Sequence, residues 1–476
     1  MPTTNGNKKI LDLKRWDFCT PAPTTGVAGV FVAPLFCNIQ QAFVLTGSAS
    51  ASLYNAQEDA YISLASPALA GTFGAGTAVV GVPWSTGASI TTASLTATGG
   101  TSTTLVTNQT LARDLRGYKI QILGGPAAGD IRTIASNTVG ANATVTVTSA
   151  FSASPTASTT YRLLTPRWLI INAGILAAGI AKFYDYATNT YTSISQTGLP
   201  AGTVEATMRS TSCYVGSSFN PIATGTSTGT NTVTTLNNTG KAWTTNQFTN
   251  LQIRITGGVG AGQIRTIASN TATAITVSAS WTTTPDATST YAIEGNDDHI
   301  YYVGSGTATM YRYTISTNTW TTLGLSRAGS AGAGSSLAYF FKTGDSVWAN
   351  ESAIIDGRRL YSFRGSGGSA LDYFDIPSST WVQVSYAPGV DTFTVGTSSA
   401  YDDAYIYMQK ESTGRWFRFD PVLSAMEPWG GTTYTQSTSA AGNRAWIIDY
   451  IDGATTIKYV YFWLNGTNVV LRQLVI

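Results

Sequence analysis

The sequence predicts an all-β protein, on three observations. Only 11% of the 476 residues are charged, against roughly 25% in an average soluble protein, and Ser, Thr, Asn and Gly supply the polar surface instead. Thr and many Tyr and Trp, which favour strands, are abundant, whereas the Leu-, Glu-, Lys- and Ala-rich patterns of amphipathic helices are nearly missing. The chain also repeats itself: Ile131–Thr138 reads IRTIASNT, and so does Ile264–Thr271. A chain of this length buries several cores and should hold more than one structural unit.

The octamer sits inside a larger copied module. GGPAAGD (Gly124–Asp130) stands where GGVGAGQ (Gly257–Gln263) stands, and Pro155 and Tyr161 correspond to Pro285 and Tyr291. We place the copies at residues 96–166 and 223–295. In each, an alternating strand (Tyr118–Leu123, Leu251–Thr256) leads into a glycine hairpin, the IRTIAS strand, an Asn-Thr turn and a Thr/Val strand such as Ala274–Ser278.

Residues 1–95, 167–222 and 296–476 carry a second repeat. Tyr313-Thr-Ile-Ser-Thr-Asn-Thr-Trp320 follows IYYVG (Ile300–Gly304), and Tyr184-Asp-Tyr-Ala-Thr-Asn-Thr-Tyr191 follows WLIINAG (Trp168–Gly174). Tyr54-Asn-Ala-Gln-Glu-Asp-Ala-Tyr61 follows AFVLTG (Ala42–Gly47), and Phe374-Asp-Ile-Pro-Ser-Ser-Thr-Trp381 follows RLYSFRGSGG (Arg359–Gly368). A looser fifth copy combines AYIYMQ (Ala404–Gln409), Trp416–Pro421 and Trp429. Each unit reads strand, glycine turn, aromatic strand, polar turn, aromatic strand. Once one module is subtracted from the two long intervals, the spacing is about 60 residues, in line with four short strands per unit. The modules are therefore expected as insertions between units.

At Gly367-Gly368, Tyr373 and Trp381 the chain resembles the kelch-type β-propeller, whose repeat pairs two glycines with a tyrosine and a tryptophan. The pattern is degenerate elsewhere: Gly304 and Gly306 are split, and the fifth unit has only Gly414 before Trp416. A sixth unit fits the tail from Trp446 to Ile476, with Leu11–Trp16 as its fourth strand, ahead of Pro21 and Pro23. Pairing the two ends of the chain would close the ring and remove exposed strand edges. The resemblance implies six blades, glycines that supply positive φ after inner strands, and aromatics on the third and fourth strands that fill the gap between sheets.

The phrase GGVGAGQIRTIASNTATAITV, with TPDATSTYAI at Thr284–Ile293, resembles a small β module of tailed-bacteriophage structural proteins. That resemblance implies a non-enzymatic virion component, assembled in the host cytoplasm and placed in the neck or tail apparatus. It would dock other virion proteins or fibres, as a homo-oligomer in the particle. Two modules on adjacent units could grip two neighbours or one partner bivalently. A receptor-binding propeller recognising host glycans is an alternative, with Trp429 and Trp446 as face aromatics, and a glycan-degrading enzyme is another.

Residues for catalysis are sparse. The lone histidine, His299, leaves a Ser-His-Asp triad or a three-His metal site little to draw on, so no cofactor is expected, and Asp297-Asp298-His299 is the one place where a cation could sit. The acids a glycosidase would need are Asp297, Asp298, Asp345, Glu351, Asp356, Asp402 and Asp403, and the pairs ahead of strands read as a repeated structural feature. Gly257–Gly262 reads as a hairpin turn rather than a phosphate loop, because a strand and not a helix follows it. A net charge of +2 without a basic run speaks against nucleic acid. No apolar stretch approaches a membrane span, and the first residues lack the apolar core of a secretory signal. Cys19, Cys37 and Cys213, odd in number and scattered, fit reduced thiols, with a Cys19–Cys37 bridge as the alternative.

Overall fold

The structure is a computed structural model that describes residues 17–21, 27–32, 41–46, 50–56, 58–65, 78–82, 84–85, 87, 94–171, 181–199, 206–210, 223–294, 298–304, 308–323, 327–329, 336–340, 359–364, 370–376, 378–385, 398–401, 405–409, 415–421, 423–429, 444–452, 455–463 and 470–474. Among these there is no helix; every regular element is a strand. All strand pairs are antiparallel, and they form six four-stranded sheets and two larger ones.

In chain order the first sheet holds Val27–Val32, Gln41–Thr46, Ser50–Asn55 and Ala60–Ser63. The second holds Ala78–Val82, Arg167–Ile171, Ala181–Asp185 and Thr190–Ser193, and the third Ala206–Ser210, His299–Gly304, Met310–Thr314 and Thr319–Leu323. The fourth comprises Ser336–Phe340, Arg359–Phe363, Leu371–Asp375 and Thr380–Val384, and the fifth Ser398–Tyr401, Ile406–Gln409, Trp416–Asp420 and Ala425–Trp429. The sixth takes Arg444–Asp452, Thr455–Trp463 and Val470–Leu474 from the end of the chain and Asp17–Phe18 from its start. First strands neighbour one another in a closed circuit from the first sheet through the sixth and back. Sheets arranged radially around such a circuit make a β-propeller.

Burial falls from the centre outward, and composition follows it. Ala78–Val82 and Arg167–Ile171 are buried along their whole length, as near-continuous apolar runs covered on both faces should be. Thr190–Ser193 and Thr380–Val384, at the rim, have no buried residue, only half-buried and exposed side chains. Between neighbouring sheets the gap is filled by rings: Phe43 on Trp168 at 4.9 Å, Phe183 on Tyr313 at 6.1 Å and Tyr301 on Phe374 at 6.2 Å. The circuit continues with Tyr361 on Phe419 at 5.8 Å, Trp416 on Phe462 at 5.4 Å and Tyr54 on Tyr461 at 5.7 Å. These ring pairs lie on second and third strands, and the expected fourth-strand contribution is present at Trp320, which donates Nε1 to Ser195 O beyond the second sheet at 3.0 Å. The fourth-strand aromatics Tyr61, Tyr191, Trp320 and Trp381 lie across their own third-strand partners. Of the turn glycines singled out from the sequence, Gly47, Gly174, Gly306, Gly367, Gly368 and Gly414 lie outside the described residues, and Gly304 ends a strand.

The hairpins joining third to fourth strands supply the left-handed residues instead. Asp59, Asn189, Asn318, Ser379 and Ser424 occupy the same position in five hairpins, with φ of 49°, 53°, 53°, 54° and 49°. In three of them that side chain is also a clasp. Asp59, Asn189 and Asn318 accept the hydroxyl of the third-strand Tyr54, Tyr184 and Tyr313 at 2.7, 2.9 and 2.8 Å. Each also accepts the amide of the residue leaving the previous sheet: Thr20 at 3.0 Å, Ala65 at 3.2 Å and Ser195 at 2.8 Å. Thr20 follows the amino-terminal strand, so the ring closure uses the same clasp as two ordinary junctions. Leu11–Trp16, expected to be the closing strand, lies outside the described residues; the pairing seen is Asp17 with Arg472 and Phe18 with Leu471.

The larger sheets differ from expectation in position. Val82 pairs with Arg167 and Ser210 with Ile300, so each module interrupts a four-stranded sheet between its first and second strands instead of standing between units. Repeat spacing cannot show this, because subtracting an insertion gives the same remainder wherever in the unit it falls.

Candidate functional site

The loops that carry the modules open on the same side as the third-to-fourth-strand hairpins, and there the first module meets the propeller. It uses Leu95–Thr96, Gly99–Gly100, Thr104–Val106, Lys119–Gly124, Ile131–Asn137, Thr144–Val147 and Thr160–Leu164. Its opening stretch pairs on both sides: Ala97 N donates to Thr159 O and Thr98 N to Val106 O, both at 2.9 Å. The sheet is thereby closed on itself and has no free edge. The second module, from Ala223–Thr226 to Thr290–Glu294, makes the same switch, with Ser227 N on Ser289 O and Thr228 N on Asn237 O at 2.8 Å.

The shared octamer is explained by this closure. Ile134 and Ile267 are fully buried. Asn137 and Asn270 accept the amides of Leu115 and Phe248 at 2.7 and 2.9 Å, and donate to the carbonyls of Arg113 and Thr244 at 2.9 and 2.8 Å. Arg132 and Arg265 donate to Ala150 O and Ser280 O at 2.8 and 2.9 Å. The repeated Arg, second Ile and Asn of the octamer thus hold their own barrels, whereas Ile131 packs against the core of the second and third sheets. Gly257–Gly262 is the turn between Gln252–Gly257 and Ile264–Asn270, with no helix to offer an anion its amino terminus.

The two copies are anchored differently. The first has a core continuous with the first and second sheets. Tyr118 donates its hydroxyl to Gln41 Oε1 at 2.7 Å and packs on Tyr186 at 5.3 Å, while Arg113 lies over Tyr186 and donates to Asn189 Oδ1 at 2.8 Å. At its root the Arg167 guanidinium is held between Trp84 at 5.0 Å and Phe183 at 4.1 Å, opposite Asp185 across the strand pair. Burial pushes Asp185 up and Arg167 down to about 10; Ser85 Oγ, 2.5 Å from Asp185, opposes the first effect. The second module keeps its core to its own residues. It buries an ion pair, Arg254 to Glu294 at 2.7 Å, where the first copy has Gln121 and Leu164.

The acids and rings singled out from the sequence separate into the placed and the undescribed. Asp298 accepts the Ser316 amide at 2.6 Å as well as its hydroxyl, and burial raises its pKa. His299 is buried with its edge toward Tyr301, and burial, aided by Arg312, lowers it to about 3. Trp429 packs on Tyr407 at 4.7 Å and is no exposed platform. Trp446 falls in the first strand of the sixth sheet. Asp297, Asp345, Glu351, Asp356, Asp402, Asp403, Cys37 and Cys213 lie outside the described residues, and Cys19 is buried beside the tyrosines that close the ring. The clasp residues were overlooked in the sequence, although the recurrence of Asp or Asn five positions after Tyr54, Tyr184 and Tyr313 is visible there.

A neutral buried histidine has a consequence for acid stability. Its folded pKa lies below its ordinary 6.5, so it contributes stability above pH 6.5 that is lost as pH falls toward about 3. The slope is at most about 1.4 kcal/mol per pH unit. Urea titrations at stepped pH should show His299→Gln flattening that limb; an unchanged slope would assign it to other groups.

No family model matches the chain, and no curated protein matches it. Among solved structures it is similar to YCF48 from Cyanidioschyzon merolae at 12% identity, over 37% of this chain and 47% of that one, with a TM-score of 0.23. Hydrazine synthase from Kuenenia stuttgartiensis is similar at 10% identity over 38% and 46%, with a TM-score of 0.21. An auxiliary nutrient binding protein from Bacteroides thetaiotaomicron is similar at 10% over 83% and 97%, with a TM-score of 0.25. The chain spans just under half the length of the first two. At these TM-scores the fold rests on the strand pairing and not on the likenesses.

Proposed function

We propose that the chain is a six-bladed, kelch-like propeller with two inserted β modules, and that it serves as a non-enzymatic structural component of a tailed-phage virion. Its place is the neck or tail apparatus, where the module-bearing face docks other virion proteins or fibres. The observation that carries the docking role is the weld of the first module to the body: a shared core, the Tyr118–Gln41 bond and the Arg113–Asn189 bond make it a fixture of that face. A rigidly held projection loses little conformational freedom when a partner binds. The phage setting rests on the module's sequence resemblance. The glycan-receptor reading loses one of its two aromatics, since Trp429 is packed inward.

Replacing residues 223–294 with a short Gly-Ser turn and following incorporation into particles tests the docking role. The expected result is loss of incorporation with the remaining fold intact by circular dichroism. Incorporation at the wild-type level would overturn it.

A further inference from the structure

The modules carry an unusual reciprocal contact. A Cβ added to Gly129 would lie 2.4 Å from Thr256 O and 3.7 Å from Thr256 Cα, in the other module. One added to Gly262 would lie 1.8 Å from Leu123 O and 3.0 Å from Gly124 Cα, again across. In the register set by the identical octamers, Gly129 is the counterpart of Gly262, and Leu123 of Thr256. Equivalent atoms thus meet in both directions, which is the signature of an isologous interface with approximate two-fold symmetry.

Both turns are built for that approach. Gly129 and Gly262 hold φ of 92° and 87°, and neither position has room for a side chain. The following residue braces the turn in both copies by different chemistry: Asp130 accepts the Ser152 amide and Gln263 the Thr282 amide, each at 2.7 Å. The pairing geometry persists where the sequences differ.

We infer that the module is a self-recognising unit whose partner is a second copy of itself, and that the duplication supplies both halves within one chain. The second module, whose core is its own, is held by this pairing on the first, which is welded to the propeller. The face therefore presents one fixed double module, not two independent arms. The inference stands apart from the virion reading, since it concerns only how the copies meet.

The test uses the full chain and hydrogen exchange read by mass spectrometry, with Gly262→Val, Gly129→Val and Gly140→Val compared. Gly140 has φ of 118° with nothing near its missing Cβ, so it reports backbone strain without a contact. Gly262→Val is expected to speed exchange about tenfold in residues 119–124, and Gly129→Val in 252–257, each in the module that was not altered. Gly140→Val should act only locally. Changes confined to the altered module would overturn the pairing. A dimer mass in native spectra of the wild type, with the crossed effect present, would overturn its being within one chain. Should valine unfold a module outright, the alanine variants at the same three positions are read by the same criteria.

Discussion

Replacing Asn189 with alanine is expected to destabilise the protein by about 3 kcal/mol. The side chain accepts three donors from three parts of the molecule: Tyr184 Oη at 2.9 Å in its own sheet, Ala65 N at 3.2 Å leaving the previous sheet, and Arg113 Nη2 at 2.8 Å in the first module. Losing the acceptor leaves all three short of a partner at once. Alanine must also adopt φ of 53°, and roughly 1 kcal/mol of the total is that backbone cost. Asn189→Gly separates the two effects, because it removes the acceptor while relieving the backbone. Chemical denaturation should rank the variants wild type, glycine, alanine; glycine equal to wild type would show that the clasp contributes nothing.

The second large effect is expected at the root of the same module. Asp185→Ala takes the carboxylate from opposite a buried guanidinium, leaving Asp298 as its remaining acidic neighbour, and removes the acceptor from Ser85 Oγ and the Ala187 amide. A buried cation left with a single, more distant acid costs up to about 3 kcal/mol, the low end of what a wholly broken buried pair costs. Pairing the change with Arg167→Met should recover part of that loss, since a long apolar side chain can fill the slot between Trp84 and Phe183 without needing a carboxylate. Additive losses in the double variant would mean that Arg167 is held by its ring contacts alone.

How far the sequence could lead is clear from particular residues. The all-β class followed from Thr, Tyr and Trp enrichment; the third and fourth strands lie where the quoted octapeptides put them, as with Tyr313 opposite Trp320, and second strands where the preceding segments such as IYYVG do. What stayed hidden were the first strands. Ala78–Val82 is a short apolar run without period, and its partner begins at Arg167, beyond a whole inserted barrel, so nothing local joins the two. The contact between the modules was equally silent, because a glycine required by a neighbour reads the same as one required by a turn. The clasps were legible, but the Asp or Asn was read as polar turn filler when its geometry makes it the tie between sheets.

The candidate site was less legible than the fold. The acid pairs ahead of strands read as a repeated structural feature, and Asp298 does spend its carboxylate on Ser316, while Asp297, Asp402 and Asp403 lie outside the described residues; that His299 is buried and neutral had no signal in the sequence. Trp429, a face aromatic only in the glycan-receptor alternative, is core. Side-chain type alone cannot separate these cases; burial decides, and burial depends on which sheet stands beside the residue.

The measurement that bears most directly on the proposed role is immunogold electron microscopy of intact tailed-phage particles produced by the cells that express this chain, with antibody raised against the purified chain. Label concentrated at the neck or tail is the predicted result. Particles that remain unlabelled, while the protein is detected elsewhere in the culture, would contradict a virion role and return weight to a secreted or surface glycan-binding propeller.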